Sequence, residues 1–485
     1  MVSKAKIAII GGGIAGLACA HRLTQLRKEK SADFEFVILE SSSRLGGTIE
    51  TEKRDGFLLE KGPDSFLSEK PWGLELSKRL GIDGEIIGTR SEHRKSFIAR
   101  KNSLIPLPEG FYLIAPAKFS TFFESPLFSP IGKLRIASEL FIPKWQSEQE
   151  ESVGAFIRRR FGKEALTKVG QAMLAGIYTG DPDLLSVSAT MPRFKEFEMK
   201  HGSVIRALLH SARGKRNHDV RSASGPRYSL FLSFKDGLET LVKAIQEKLL
   251  PSEIHLNFDA RSVSFDNLQE KWKIQAASGK VISADVVCMA VPAHKAGKLL
   301  GNEAPLLSSN LNQIRHESVA TINFAFRRSD ISHPLDGFGF VVLQIENRSL
   351  VACSFSSVKF DFRASEGNVL LRAFVGGAFG RKYLEMDNMD LIGAVLKDLT
   401  ELLDIRGKPI FFTIHRHPNS MVQYQIGHLK LVSDIEQNLE KIKGLFLTGS
   451  AYRGVGIPDC IHDAEVQAEQ IFEKFCNFPQ HAEVP

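Results

Sequence analysis

The 485-residue chain predicts an α/β plus α+β fold in which both ends build one domain and the middle is inserted between them. Three observations predict it. The chain opens on a strand, a glycine cluster, an apolar helix and a second strand. Short apolar runs with period-two alternation fill 321–415, as a mostly antiparallel sheet requires. A further buried strand, more glycines and an amphipathic helix close the chain from 444 onward.

In the opening unit, Lys6-Ile7-Ala8-Ile9-Ile10 reads as a buried parallel strand running into Gly11-Gly12-Gly13-Ile14-Ala15-Gly16. A helix carrying Leu17, Ala20, Leu23 and Leu26 follows, then the strand 34–39, ending on Glu40. This is a βαβ unit with the glycine fingerprint of a Rossmann-type dinucleotide site. Gly11 turns tightly out of the strand, Gly13 lets a diphosphate approach the backbone, and Gly16 lets helix and sheet pack closely. The helix N-terminus offers unpaired N–H groups to the phosphates, and Glu40 stands where an acid accepts ribose hydroxyls. The motif continues through Ser41, Arg44, Gly46, Gly47 and Thr48. The second glycine pair brings more backbone to the ligand, and Arg44 can neutralise phosphate. A plain NAD unit does not need this extension. It resembles the large family of FAD oxidases and desaturases that includes the amine oxidases, and the resemblance implies FAD.

Apolar and charged fractions of 43% and 25% place the chain among globular proteins. The net charge of +7 suits an anionic ligand or a membrane surface, but it is too dispersed for nucleic acid. Five scattered cysteines without metal spacing predict free thiols in a reducing compartment and no metal. Lys4 and Lys6 before an apolar run ending Ala18-Cys19-Ala20 resemble a signal peptide, but the fingerprint lies inside that run, so no cleaved leader is expected. No uninterrupted apolar stretch predicts a transmembrane helix.

Beyond the fingerprint, 56–66 reads as a short strand leading to the Gly62-Pro63-Asp64-Ser65 turn, and 72–80 as a helix. Between 104 and 145, six prolines interrupt an aromatic-rich stretch. Short helices exposing Phe111, Phe119, Phe122, Phe123, Phe128 and Phe141 beside Lys118, Lys133 and Arg135 would suit contact with a membrane interface; an ordinary helical core is the alternative. Ser152 caps a helix whose Arg158, Arg159 and Arg160 read as a solvated face, and 206–227 reads as a basic surface loop. Strands are expected at 230–234, 254–256, 260–265, 272–276 and 281–291, then at 321–326, 339–343, 349–355, 369–375 and 409–415, with a helix near 390–403. The domain division expected is 1–90, 228–297 and 437–485 for the FAD domain, 91–210 for a helical domain, 211–227 for a mobile basic loop and 298–436 for the substrate domain. The tail motif Gly449-Ser450-Ala451-Tyr452-Arg453-Gly454-Val455-Gly456-Ile457-Pro458-Asp459 again clears backbone for a flat ligand at a helix N-terminus.

Four stretches in this order carry a closer resemblance: 62–66, Gly176-Ile177-Tyr178-Thr179-Gly180-Asp181-Pro182, Phe374-Val375-Gly376-Gly377, and 449–461. Together they resemble the oxygen-dependent protoporphyrinogen oxidase family, most closely its bacterial branch with coproporphyrinogen III oxidases. The resemblance covers essentially the whole chain. It implies oxidation of a porphyrinogen to a porphyrin in haem biosynthesis, with non-covalent FAD, O₂ as acceptor and H₂O₂ as by-product. It further implies an FAD domain, a substrate domain and a helical membrane-associated domain. Localisation would be cytoplasmic, free or peripheral to the membrane, with the membrane surface and ferrochelatase as partners and an oligomer compatible.

The resemblance assigns the cofactor to the fingerprint and its extension, to Gly62, Pro63, Asp64 and Ser65, to Val263, and to Gly449, Ser450, Val455, Gly456 and Ile457. It assigns the tetrapyrrole to Gly176 and Phe374, with Val342 and Phe355 as further walls and Arg94, Lys95 and Arg100 as propionate candidates. Ser96 stands where plant members carry an arginine. No catalytic residue of a classical hydrolytic or acid–base kind is expected, because the flavin carries the hard step. Two rivals share the nucleotide motifs: another flavin amine oxidase or carotenoid-type desaturase, with Cys460 as a conceivable covalent attachment point, and a non-catalytic escort protein on the same fold. His415 and His417 alone make no metal site.

Overall fold

The computed structural model describes residues 4–476 except 94, 109–110, 113, 117, 148 and 215–229. Arg94, residues 215–227 of the expected 211–227 loop and the last residues of the 437–485 segment therefore lie outside the described residues.

Five parallel strands form the first sheet, in the order Ile254–His255, Phe34–Leu39, Ala5–Ile10, Val286–Met289, Leu445–Leu447. The first and last strands of the chain thus flank the same strand, Val286–Met289. Their runs of Ile, Val, Phe and Leu suit strands buried on both faces. The fingerprint helix Ile14–Glu29 packs along the tail helix Ile457–Ile471, with Leu17, Ala20 and Leu23 sharing a core with Ile461, Ala464, Ala468 and Ile471. Gly11 has φ +107°, a left-handed conformation, and a Cβ on Gly16 would overlap the Gly11 carbonyl oxygen. These two glycines therefore serve the turn and the close helix–sheet packing.

The run 281–291 is two strands rather than one. Val281–Ala284 pairs antiparallel with Lys271–Ala276, and after Asp285 the chain enters the parallel sheet as Val286–Met289. Asp285 marks the crossing, where its carboxylate accepts the Lys6 N–H at 2.8 Å. An unbroken apolar run cannot show that the two halves belong to different sheets.

The second sheet has seven strands, ordered Phe411–Gln423, Arg315–Arg327, Asn368–Gly376, Ala352–Phe355, Gly339–Val342, Phe97–Arg100, Ser103–Pro106. All pairs are antiparallel except Gly339–Val342 with Phe97–Arg100. Two strands from the stretch read as helical, 91–210, thus complete this sheet. Helix Asn388–Leu403, capped by the Asp387 side chain, covers one face with Leu391, Val395, Leu399 and Leu403 against Ile322, Phe324, Leu371 and Ala373.

A helical layer contains Phe119–Glu124, Pro130–Ala137, Val153–Phe161, Gln171–Ile177, Pro192–His201 and Val204–Gly214. Ser152 accepts the Ala155 N–H at 3.0 Å, the cap its position predicts. The last of these helices corrects the reading of 206–214 as loop. The arginine run is not a solvated face either. Arg160 is fully buried against Glu139 and Glu198, Arg159 pairs with Glu151 and Glu198, and only Arg158 reaches outward, to Asp183. The aromatics of 104–145 divide. Phe122 and Phe128 are buried with the half-buried Phe111 packed on both, while Phe123, Ile131, Leu134 and Phe141 are exposed. Arg135 faces the interior and donates to the carbonyls of Arg159 and Arg160. Among the described residues no helix is long and apolar enough to cross a membrane.

Burial sets the pH response of the fold. His21 and His428 are buried and pushed down to about 4 by loss of hydration. The unfolded chain binds these protons near 6.5 and the native chain does not, so their stabilisation is present above 6.5 and lost as pH falls towards 4. Each contributes at most about 3 kcal/mol. Glu60 acts in the opposite sense, because burial raises its carboxyl to about 7. A difference measurement isolates the histidine. The stability gap between wild type and His428→Gln should narrow between pH 6.5 and 4 in denaturant titrations, and a gap constant with pH would contradict this.

Candidate active site

The two glycine motifs meet around a cavity of about 650 Å³. Its walls are Gly11, Gly13, Ile14 and Ala15 from the fingerprint, Glu40, Ser41, Gly46, Gly47 and Thr48 from its extension, and Thr448, Gly449, Ser450, Ala451 and Cys460 from the tail. A Cβ built on Gly13 would meet only the Gly47 Cα at 4.0 Å, and one on Gly449 only the Ala15 Cβ at 3.9 Å. Both positions face open space, which a side chain would fill. This cradle fits an FAD: backbone bare of side chains, a helix N-terminus and an acid stand together.

Glu40 organises the turn. Its Oε2 accepts the Gly12 N–H at 2.7 Å and its Oε1 the Ser42 N–H at 2.8 Å. The Gly46 N–H donates to the Gly12 carbonyl at 2.8 Å, which holds the second glycine pair against the first. Arg44 does not reach into the cavity. Its guanidinium donates to the carbonyls of Leu45, Gly47 and Ile49 and pairs with Glu50 at 2.8 Å, so it shapes the loop and is not free to neutralise phosphate.

Other expected cofactor residues are not among those lining this cavity. Gly12 faces Leu45 and Glu40, and Gly16 is packed on Gly11. Val263 is buried in strand Ala260–Asp266 opposite Ile274. Val455, Gly456 and Ile457 form the start of the tail helix, where the Gly456 N–H donates to Asp459 at 3.2 Å. The Gly62-Pro63-Asp64-Ser65 turn packs against the cavity-lining Thr48, where a Cβ on Gly62 would overlap the Thr48 carbonyl oxygen. Asp64 lies between Lys359, at 3.1 Å, and Arg372, at 3.9 Å. Burial alone would raise its carboxyl, but these two cations and the Ser65 hydroxyl hold it below the ordinary carboxylate range. Cys460 lines the cavity, and burial pushes its thiol up to about 12, with Asp459 and Asp463 adding to the shift. It is protonated at neutral pH and a poor nucleophile.

The sequence missed the cavity's third wall. Phe258, Asp259, Ala260 and Arg261 line it, as do Val291, Pro292, Lys295, Lys298 and Ser420. Lys295 and Lys298 lie one turn apart on helix Ala293–Leu300, which packs against strand Ala260–Asp266. Their three-residue spacing was visible, but not which side of the helix would meet the cavity.

On the second sheet, Phe374 is paired with Thr321 on one side and Ala352 on the other, and Ala352 with Val341. Cross-strand partners share a face, so these four residues form one row. Gly176 is exposed beside the row, and a Cβ on it would meet only Val341 Cγ1 at 3.6 Å. Val342 and Phe355 belong to the opposite face, buried under helix Asn388–Leu403 with Phe340 and Leu371. Neither therefore shares the face of Phe374, whereas Val341 does. Lys95 pairs with Asp336 at 2.8 Å, and Arg100 is exposed at the end of its strand. His417 sits 2.8 Å from the Lys61 carbonyl. No group of three or more His, Cys, Asp or Glu able to hold a metal is found among the described residues.

The flavin containing amine oxidoreductase family model matches residues 14–472. The coproporphyrinogen III oxidase of Bacillus subtilis (strain 168) is 32% identical over 94% of this chain and 96% of its own length. That of Staphylococcus aureus (strain NCTC 8325 / PS 47) is 31% identical over 96% of this chain and 98% of its own. The crystal structure of a candidate protoporphyrinogen oxidase from Exiguobacterium sp. 255-15 superposes with a TM-score of 0.84 at 30% identity, covering 97% of this chain and 99% of that one. By sequence and by architecture alike, the chain belongs to the flavin containing amine oxidoreductases and, within them, to the protoporphyrinogen/coproporphyrinogen oxidase family.

Proposed function

We propose that this chain is an oxidase that uses FAD and O₂ to convert a porphyrinogen into its porphyrin in haem biosynthesis, with coproporphyrinogen III as the favoured substrate. The observation that carries the reading is the end-to-end likeness to coproporphyrinogen III oxidases over 94% and 96% of the chain. Bound non-covalently in the cradle, the flavin supplies the acceptor for hydride leaving a meso carbon. The chain positions and encloses. Gly13 and Gly47 admit the diphosphate, Glu40 holds the turn that meets the ribose, and Lys295, Lys298 and Arg261 bring positive charge to the rim. Phe374 and Val341 offer an apolar row to a flat macrocycle, with Gly176 left bare beside it. The protonated Cys460 thiol supports non-covalent attachment. The roles of the regions follow the division into an FAD domain at 1–90, 228–297 and 437–485 and a substrate domain at 298–436, with strands 97–106 now part of the latter. Exposed Phe123, Ile131, Leu134 and Phe141 give the helical layer a face suited to a membrane interface.

The test is to supply coproporphyrinogen III and protoporphyrinogen IX side by side to the FAD-saturated chain in air and to follow porphyrin fluorescence. Acid precipitation should release all flavin into the supernatant. Phe374→Ala should raise KM about tenfold, the cost of losing roughly 1–1.5 kcal/mol of aromatic contact, with kcat within a few-fold of wild type. Steady-state kinetics check this, and an unchanged KM removes Phe374 from the pocket.

A further inference from the structure

Arg372 sits where the second sheet meets the 62–65 turn, and the roles above leave it unused. Its side chain is 2% exposed. The guanidinium stacks on the Phe374 ring, 4.8 Å from the centroid. One Nη donates to the Gly62 carbonyl, the other lies 3.9 Å from Asp64, and Nε–H has no acceptor. Gly62 in turn rests on the backbone of Thr48, which lines the flavin cradle. Phe374, Arg372, the 62–65 turn and the cradle wall therefore stand in series. Burying a guanidinium with one N–H unpaired is costly, and an apolar side chain of similar length would fill the space without that cost. Only arginine offers both a flat face for the ring and a fork for the carbonyl and carboxylate beneath it.

We propose that Arg372 is a positioning residue. It locks the Phe374 ring to the 62–65 turn and so fixes the macrocycle's seat relative to the flavin cradle. The inference rests on the reading of Phe374 as a substrate contact. Asp64 is the second anchor: Lys359 holds it at 3.1 Å and the Ser65 hydroxyl at 2.6 Å, so the fork meets a fixed partner.

The test compares FAD-saturated wild type, Arg372→Met, Arg372→Lys, Phe374→Ala and the Arg372→Met/Phe374→Ala double variant. Each is assayed for KM and kcat with coproporphyrinogen III, and titrated with coproporphyrin III by its absorbance shift, which needs no turnover. Arg372→Met should raise KM and weaken porphyrin binding about tenfold, and add less than about twofold once Phe374 is gone. Arg372→Lys keeps the charge beside Asp64 and should fold with FAD, yet it should show the same raised KM because it lacks the flat face. If Arg372→Met fails to fold, the lysine variant decides alone. Unaltered KM and binding in these variants, or effects of Arg372→Met and Phe374→Ala that multiply independently, overturn the proposal. A wild type that binds coproporphyrin III with this coupling but oxidises neither porphyrinogen overturns the functional reading and leaves the clamp standing.

Discussion

Gly13→Val leaves the purified protein without flavin. Gly13 has φ −73° and ψ −177°, an extended conformation open to any residue, so the substitution introduces no backbone strain. Its Cβ position faces the cavity with only Gly47 Cα near, at 4.0 Å. Valine would place two further methyl groups where the diphosphate must approach the helix N-terminus. The phosphates would then lose the N–H groups and be held off the dipole. A loss of about 3 kcal/mol or more, at least about 100-fold in FAD affinity, is expected. The flavin absorbance of the purified variant and a titration with FAD measure it, while circular dichroism should show the fold intact. Gly11 and Gly16 are less informative, since a side chain there breaks the turn or the helix packing. Undiminished flavin occupancy in Gly13→Val would contradict the placement of the phosphates.

Arg160→Ala destabilises the helical layer more than any surface change could. Arg160 is fully buried, its Nε 2.7 Å from Glu139. It also donates to the carbonyls of Ile142 at 2.9 Å and Gly202 at 3.0 Å. Glu139, equally buried, accepts the Val204 N–H at 2.9 Å. Truncating the arginine strands a carboxylate in the interior and removes donors from four carbonyls, those of Glu139, Ile142, Pro143 and Gly202. Breaking one side of such a pair costs about 3–5 kcal/mol. The loss should appear as a lower denaturation midpoint in urea, and Arg160→Met/Glu139→Leu should recover part of it because no charge remains to be buried. A midpoint equal to wild type in Arg160→Ala would mean that the network contributes nothing to stability.

Local signals made much of the fold legible. The strand expected at 34–39 is found at Phe34–Leu39, and the helix expected at 72–80 at Trp72–Leu80. In both, the apolar pattern and the flanking turns lie within a few residues of each other. The misreadings share a cause: each depended on a partner far away in sequence. Arg160 looks solvated until Glu139 and Glu198 come in from 21 and 38 residues away. The run 281–291 cannot announce that its two halves join different sheets. The resemblance names Val342 and Phe355 as walls, but which face each presents is set by strand register, where a shift of one residue inverts every side chain. The cradle's glycines were visible because each needs a particular backbone. Lys295, Lys298 and Arg261 were not, because an exposed basic residue on a helix or strand carries no sign of which cavity it borders.

This chain is expected to remove six hydrogens from a porphyrinogen in three two-electron steps, each pair of electrons passing to O₂. The most direct measurement follows oxygen uptake, H₂O₂ and porphyrin fluorescence together in one sealed reaction of FAD-saturated protein with coproporphyrinogen III. Three O₂ should be consumed and three H₂O₂ released for each porphyrin formed. Porphyrin appearing no faster than in the protein-free control, with no enzyme-dependent oxygen uptake, would contradict it.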